Sequence, residues 1–154
     1  MSKANDPRIK LHALLDSTRE TIQKAVKLEL AQYQMSLPQV KVMHMLAQSE
    51  EGLTPAQLSE FAIRELNSIT TLINRMQKKG LVKKVKRDGD NKTYVILTDK
   101  GVDIYTNTVT ERSIMLIFDT LSDEEKFQLT GLLSKLQTKA RNLLGLDYKP
   151  PFMQ

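Results

Sequence analysis

The stretch that decides the fold is residues 54–101, TPAQLSEFAIRELNSITTLINRMQKKGLVKKVKRDGDNKTYVILTDKG. At its start, the Thr54 side chain can accept a hydrogen bond from the Gln57 amide, and the Gln57 side chain can accept one from the Thr54 amide. This capping box predicts a short helix. After a tight polar turn, a second helical pattern follows over about residues 66–79, and Gly80 is suited to end it.

The spacing of apolar residues then changes from the helical period of 3.6 to the period of two that is typical of strands. Residues 81–87 and 92–97 are rich in β-branched side chains, and they flank Asp88-Gly89-Asp90-Asn91, a strong hairpin-turn signal. Thr98 is placed to cap a further helix, which the pattern predicts to run from about residue 99 to residue 120.

Helices are also predicted on both sides of this stretch. Residues 8–34 have apolar side chains at helical spacing, with Glu29 as the one break in the stripe, and residues 38–48 predict a second helix. A capping box at 122–125 opens the last helix, which runs to about Leu144. The order of helix, helix, helix and hairpin predicts a mainly α-helical winged helix-turn-helix with a small β-wing.

Positive charge is concentrated in one segment of the chain. The whole chain has a formal net charge of +5, whereas residues 64–92 alone carry +6, from nine Lys or Arg residues and three acidic residues. A solvated charged face usually mixes both signs. Such segregation instead indicates a polyanionic partner, most simply DNA or RNA.

The predicted helix at 66–79 would have two different faces. Its apolar residues lie on one side and can dock on the preceding helices. Small hydrogen-bonding groups lie on the other side, and cations follow at its end and on the hairpin. This pattern suits a helix in the major groove of DNA. The residues predicted to contact double-stranded DNA are Asn67, Ser68, Thr70, Thr71, Asn74, Arg75, Lys78, Lys84, Lys86, Arg87 and Lys92.

Other interpretations of these residues exist. Taken alone, the helix at 66–79 is what any amphipathic surface helix looks like. The basic hairpin after it favours DNA binding, because a wing can place a cation in the adjacent minor groove. The alternative function is a winged-helix module that docks an acidic protein surface without specific DNA binding.

The sequence resembles the multiple-antibiotic-resistance regulators (the MarR family) over nearly its whole length. The matching blocks are Leu58-Ser59-Glu60-Phe61-Ala62, residues 69–82 (ITTLINRMQKKGLV), Leu97-Thr98-Asp99-Lys100-Gly101 and Leu121-Ser122-Asp123-Glu124-Glu125. The resemblance implies a cytoplasmic transcription regulator, a repressor that a small aromatic ligand can release from its DNA. It also implies ligand-binding candidates along the first two helices, although ordinary core packing is the more common role of such residues: His12, Tyr33, Met43 and Met45.

Two places depart from the family's pattern. Ile63-Arg64 stands before the reading helix where the family often has a glycine-containing step, and Asn91 stands at the wing tip in the place of an arginine. The minor-groove contact could therefore fall to Lys92 or to Arg87, or be weak in this protein.

The flanking helices carry more apolar surface than a small winged domain can cover. Residues 114–118 are apolar without a break, and the last helix has an apolar stripe. An intramolecular core is one use for such residues. A homodimer would also bury them, and would present two reading helices to a pseudo-palindromic operator whose half-sites lie ~10 bp apart.

We therefore expect a single domain over 1–154. Within it, 36–98 would be the winged helix-turn-helix DNA-binding portion. The N-terminal helix at 8–34 and the C-terminal helices at 99–145 would be the dimerisation portion.

Several function classes lack their characteristic residues. The chain has no cysteine and only two histidines, His12 and His44, so we expect no metal site. Because no phosphate-binding glycine-rich loop, nucleophile elbow or HExxH motif is present, we expect no catalytic residues and no cofactor. No apolar run approaches the roughly 20 residues that cross a bilayer. The polar residues 1–7 lack the hydrophobic segment of a secretion signal, which favours the cytoplasm.

Overall fold

The computed structural model describes residues 5–108 and 111–146, apart from the side chain of Thr108, and shows a mainly helical protein with one β-hairpin in that part of the chain. The predicted fold class is confirmed. In chain order the elements are α1 (Pro7–Ala31), α2 (Leu37–Ala47), α3 (Pro55–Ala62), α4 (Leu66–Lys78), β1 (Val82–Arg87), β2 (Asp90–Leu97), α5 (Asp99–Asp103), a π-helical turn (Ile104–Thr108), α6 (Arg112–Phe118) and α7 (Asp123–Leu143).

Three helices begin where local hydrogen bonding predicts. At α3, the Gln57 amide donates to Thr54 Oγ1 over 3.2 Å and the Thr54 amide donates to Gln57 Oε1 over 2.9 Å. The capping box that opens α7 forms in the same way. At α5, Thr98 Oγ1 accepts from the Gly101 amide over 3.0 Å. These predictions are confirmed. Such caps can be predicted from the sequence because each depends only on residues three apart in the chain.

The contacts divide the chain into two compact units, of which the first consists of Met1–Leu37 and Glu111–Thr120. Within it α1 packs against α6, and Val26 and Leu30 of α1 are buried. Glu29, the break in the apolar stripe, accepts hydrogen bonds from the amides of Arg112 (2.9 Å) and Ser113 (2.7 Å). Its carboxylate therefore caps the N-terminus of α6.

The prediction of one continuous helix over residues 99–120 is wrong. α5 ends at Asp103, the π-helical turn follows it, and α6 begins after Glu111, whose φ is 49°. Val109 and Thr110, which the prediction included, lie outside the described residues. The sequence TNTVT at 106–110 is rich in β-branched residues, which weaken helix propensity. The cap from Glu29 meanwhile favours a separate start for α6.

The second unit consists of Pro38–Thr110 and Leu121–Gln154 and contains the winged helix-turn-helix. Ile69, Ile73 and Met76 of α4 are at most 1% exposed, and they form the core of this unit together with α3 and the hairpin. Leu53 lies beside β2 and pairs with it as an isolated β-bridge. Its amide donates to the Val95 carbonyl over 3.1 Å, and the Val95 amide donates back over 2.8 Å.

The hairpin is tighter at its tip than the sequence predicts. Its loop is Asp88-Gly89, and β2 begins at Asp90 rather than at Lys92. The left-handed φ of 78° at Gly89 is one that glycine adopts without strain. The pairing passes from Lys86 opposite Thr93 to Arg87 opposite Asp90, so two extra residues bulge out of β2 near the tip.

Gly101 allows α5 to approach the end of α4 closely. A Cβ atom at this position would overlap the carbonyl oxygen of Leu81. Because this oxygen belongs to the backbone, it could move only if the main chain shifted. The Thr98 amide donates to that same carbonyl over 3.1 Å. Gly101 is therefore required by packing rather than by a left-handed backbone.

We expect Gly101→Ala to lower the free energy of unfolding by about 2–3 kcal/mol, because the added methyl group forces backbone apart in a packed junction. Urea denaturation at one fixed protein concentration measures this change. Gly131→Ala in α7 is the matched control, because a Cβ there meets no atom within 4 Å in the described part of the chain. This control should stabilise the helix by up to about 1 kcal/mol. Equal unfolding free energies for the two variants would contradict the packing role of Gly101.

Candidate nucleic-acid interface

Helix α4 presents a polar face to solvent opposite its buried apolar residues. Asn67, Ser68, Thr71 and Asn74 are exposed along this face, and Thr70 is half-buried at its edge. Arg75 and Lys78 are exposed in the last turns of the helix. The short polar groups therefore come first along α4 and the cations last, as the sequence predicts for a helix that reads bases and holds phosphates.

The turn into α4 explains one departure from the family's pattern. Ile63 ends α3 with φ 50° and ψ 54°, a left-handed conformation that costs roughly 1–2 kcal/mol for a residue with a Cβ. Two hydrogen bonds hold this turn: the Arg64 amide donates to the Ser59 carbonyl (3.0 Å), and Ser59 Oγ donates to the Arg64 carbonyl (2.5 Å). The polar turn therefore keeps the backbone geometry that a glycine would adopt at a lower free-energy cost.

The C-terminal end of α4 is fixed by the start of α5. Lys100 Nζ donates to the carbonyl of Lys79 over 2.8 Å, and Thr98 Oγ1 donates to the carbonyl of Gly80 over 2.5 Å. A helix ends with carbonyl groups that lack partners, and these side chains satisfy the carbonyls just past its end. Lys100, which was not among the predicted site residues, therefore supports α4 rather than extending its cationic face.

The hairpin brings one predicted phosphate contact onto the predicted reading face. Lys84 Nζ donates to Asn74 Oδ1 over 2.8 Å. This bond uses the amide oxygen of Asn74 and leaves its two N–H donors directed elsewhere, towards any acceptor placed beside α4. Asn74 and Lys84 thus act as one unit, although they lie ten residues apart in the chain.

Arg87 differs from the other predicted contacts on the hairpin. Its guanidinium donates to the Glu51 carboxylate over 3.0 Å and also to the Glu51 backbone carbonyl. The same group lies over the ring of Tyr94, 3.9 Å from the ring centroid. The structure therefore holds Arg87 in contacts within the chain, whereas Lys86 and Lys92 are exposed.

Asp90 organises the tip of the hairpin. Its carboxylate accepts from Tyr94 Oη over 2.6 Å and from the Lys92 amide over 2.8 Å. The hydrogen bond from Tyr94, followed by that from the Lys92 amide, lowers the pKa of Asp90 below its usual value. The same bond raises the pKa of the Tyr94 hydroxyl. Asp90 therefore stays ionised and Tyr94 stays protonated near neutral pH.

Sequence reasoning missed Glu51 and Tyr94, which hold the hairpin, although it identified the exposed cations of α4. The alternating pattern of the strand predicts Tyr94 only as an ordinary strand residue, and the sequence predicts Glu51 only as a charged residue in a loop. No local signal pairs Glu51 with Arg87, since these residues lie 36 positions apart.

The predicted ligand residues differ in their exposure. His12 is exposed on α1, Tyr33 is half-buried after the end of α1, and Met43 and Met45 of α2 are buried. Their role in ligand binding stays a prediction. His44, between the two methionines, is instead hydrogen-bonded within the second unit, to Tyr105 Oη over 2.7 Å and to Gln48 over 2.8 Å.

Within residues 5–108 and 111–146, no group of three His, Asp or Glu side chains is arranged to hold a metal ion. Over the same ranges, none of the helices combines the length and the apolar character needed to span a membrane.

The comparisons with known proteins point to one family. Residues 35–94 match the model of the MarR family. Among curated protein sequences, none matches this chain.

Solved structures with the same fold include regulators of that family. The organohalide-sensing regulator RdhR-CbdbA1625, bound to 2,4-dichlorophenol, is 26% identical, with a TM-score of 0.69 over 94% of this chain and 85% of its own. A mutant of Escherichia coli MarR, complexed with operator DNA, is 22% identical, with a TM-score of 0.74 over 88% and 99%. CouR from Rhodococcus jostii RHA1, bound to p-coumaroyl-CoA, is 15% identical, with a TM-score of 0.76 over 88% and 95%. The predicted resemblance to the MarR family is confirmed.

The two halves of the polar face of α4 should respond differently to substitution. Arg75→Ala and Lys78→Ala should weaken binding to every duplex and make the slope of log affinity against log salt shallower by about one each, because each would remove a predicted phosphate contact. Asn67→Ala and Thr71→Ala should instead reduce the preference for the operator over random DNA, by about 1–3 kcal/mol. Fluorescence anisotropy titrations with both duplexes measure these effects. Indistinguishable effects from the two pairs would contradict this division of roles.

Proposed function

We propose that this chain, whose residues 35–94 match the MarR family and whose fold is that of MarR-family regulators, is a cytoplasmic homodimeric repressor that binds double-stranded DNA at specific sequences. The observation that carries the proposal is the exposed polar face of α4 beside a basic hairpin. The protein acts by occupying its operator and is not an enzyme.

The electrostatics of the segment support DNA as the partner. Its +6 charge lies mainly on α4 and the hairpin, next to exposed amide and hydroxyl groups that can bind base edges. A module that docks an acidic protein surface would use the cations but would have no use for the hydrogen-bonding residues Asn67, Thr71 and Asn74. The structure of Escherichia coli MarR with operator DNA gives this fold a precedent for the proposed partner.

The exposed apolar side chains of α7 support a homodimer. Three large ones on one side of the helix, together with Leu144 just past its end, are more than half exposed in the single chain: Leu132 (62%), Leu136 (52%), Leu143 (76%) and Leu144 (63%). Burying each of them would contribute on the order of 1.5–3 kcal/mol. A contiguous exposed stripe of this kind marks an interface with another molecule. A second copy of the chain would bury it and align two α4 helices with a pseudo-palindrome.

Control by a small aromatic ligand is the second part of the proposal. The organohalide-sensing relative binds 2,4-dichlorophenol, and CouR binds p-coumaroyl-CoA, so this fold accepts aromatic ligands. In this chain the candidate contacts are His12, Tyr33, Met43 and Met45. Methionine side chains adapt to ligands of different shape, which suits Met43 and Met45 to the lining of such a site.

Selection of bound duplexes from a random pool tests the DNA-binding function directly. We expect a palindromic consensus with half-sites ~10 bp apart, and an affinity that falls steeply with added salt because phosphate contacts release counterions. Binding of an acidic protein without duplex enrichment at low salt would favour the protein-interaction module and overturn the proposal.

Charged substitutions in α7 test the dimer. Leu132→Glu and Leu136→Glu should raise the dissociation constant of the dimer at least about tenfold, because each places a charge in an apolar interface. Sedimentation equilibrium over a dilution series measures the constant. Thr138→Glu, at an exposed position on the other side of the helix, is the control and should leave the constant unchanged. If the two leucine variants associate as tightly as the control, α7 is not the interface.

A further inference from the structure

Arg87 differs from the other predicted DNA contacts, because its guanidinium is bonded to residues outside that set, Glu51 and Tyr94. It donates to both the side-chain and the backbone oxygens of Glu51, and one of its flat faces covers the Tyr94 ring. Its side chain is 34% exposed, whereas the Glu51 side chain is 81% exposed. A phosphate could bind Arg87 in this position only through the N–H donors that Glu51 leaves unused; a full two-point phosphate contact would have to replace the one with Glu51.

Tyr94 extends this set of contacts to the tip of the hairpin. The Tyr94 hydroxyl donates to Asp90, and Asp90 also accepts from the Lys92 backbone amide. A continuous chain of contacts therefore runs from the loop before α3, through Arg87 and Tyr94, to the residues that form the tip.

The position of this chain of contacts explains what it does. The base of the hairpin is fixed by backbone pairing of Val95 with Leu53, and Gly52 lies directly against Ile96. Beyond that point the hairpin is a two-stranded ribbon, which is only marginally stable in water by itself. Glu51, through Arg87, supplies a contact between this outer part and the rest of the winged unit.

We propose that Glu51, Arg87, Tyr94 and Asp90 form a wing brace that sets the orientation of the hairpin beside α4, and that Arg87 is a positioning residue rather than a phosphate contact. The inference rests on the proposed function, in which the hairpin contacts DNA. Of the wing cations predicted to contact DNA, those left exposed for phosphates are then Lys86 and Lys92, with Lys84 shared with Asn74.

Glu51→Gln tests the brace through the direction of its effect. Removing an acidic charge beside a DNA-binding surface should by itself strengthen binding. The brace predicts that Glu51→Gln binds operator about two- to fivefold more weakly than Glu50→Gln, since an exposed ion pair contributes at this level. Glu50 is also exposed and adjacent, so its variant makes the same charge change. Equal affinities of the two variants would overturn the brace.

Arg87→Lys separates positioning from phosphate binding. Lysine keeps the positive charge but cannot form the same two-point contact or stack its planar group on Tyr94. We expect Arg87→Lys and Arg87→Ala to lose affinity for the operator to within about twofold of each other, with losses of roughly five- to tenfold. Retention of wild-type affinity by Arg87→Lys would show that Arg87 serves as a charge on DNA and would refute the positioning role.

Amide hydrogen exchange without DNA distinguishes failure of the brace from failure of the proposed function. In Glu51→Gln the amides of residues 86–93 should exchange faster than in Glu50→Gln, while those of α4 should keep their rates. Unchanged exchange in residues 86–93 would overturn the brace whatever the DNA result. If the wild-type chain binds no duplex, the proposed function fails, and the exchange rates still decide whether the brace exists.

Discussion

The contact between Gly101 and the backbone carbonyl of Leu81 joins three parts of the winged unit at one point. Leu81 connects α4 to β1, and Gly101 lies in α5, which follows β2 directly. Around this contact, side chains of Thr98 and Lys100 donate to the carbonyls just beyond the end of α4. Because no larger residue than glycine fits here, the closeness of the two segments depends on this position. The helix with the polar face and the base of the hairpin beside it therefore hold one relative orientation.

Two features of the same unit oppose its stability. Segment 64–92 places nine cations and only three acids in a small part of the chain, and their repulsion disfavours the folded state until an anion binds. Ile63 adopts a left-handed conformation that is unfavourable for a β-branched residue. Conflicts between local preference and fold are expected at functional sites. Both conflicts lie in or next to α4, which is where the proposed function places DNA.

The sequence predicts those parts of the structure that depend on neighbouring residues. Capping at Thr54 and Ser122, the end of α4 at Gly80 and the position of the hairpin all follow from residues a few positions apart. The break between α5 and α6 could not be predicted in this way. Its cap comes from Glu29, 83 positions away from Arg112, and in the sequence this glutamate is only an interruption of an apolar stripe. The exposed residues of α4 were identified correctly because helical periodicity alone determines its faces.

Counting cations therefore identifies the site but does not assign their roles. Among the wing residues, the one arginine is held by Glu51 and Tyr94, and the cations left exposed are lysines. A lysine is a compact, strongly hydrated charge that neutralises phosphate, whereas an arginine is the residue that a narrow minor groove preferentially attracts. Under the proposed function, the wing of this protein then contributes affinity and salt dependence but little sequence preference. Discrimination between operators then rests on α4, where Lys84 of the wing sets the amide orientation of Asn74.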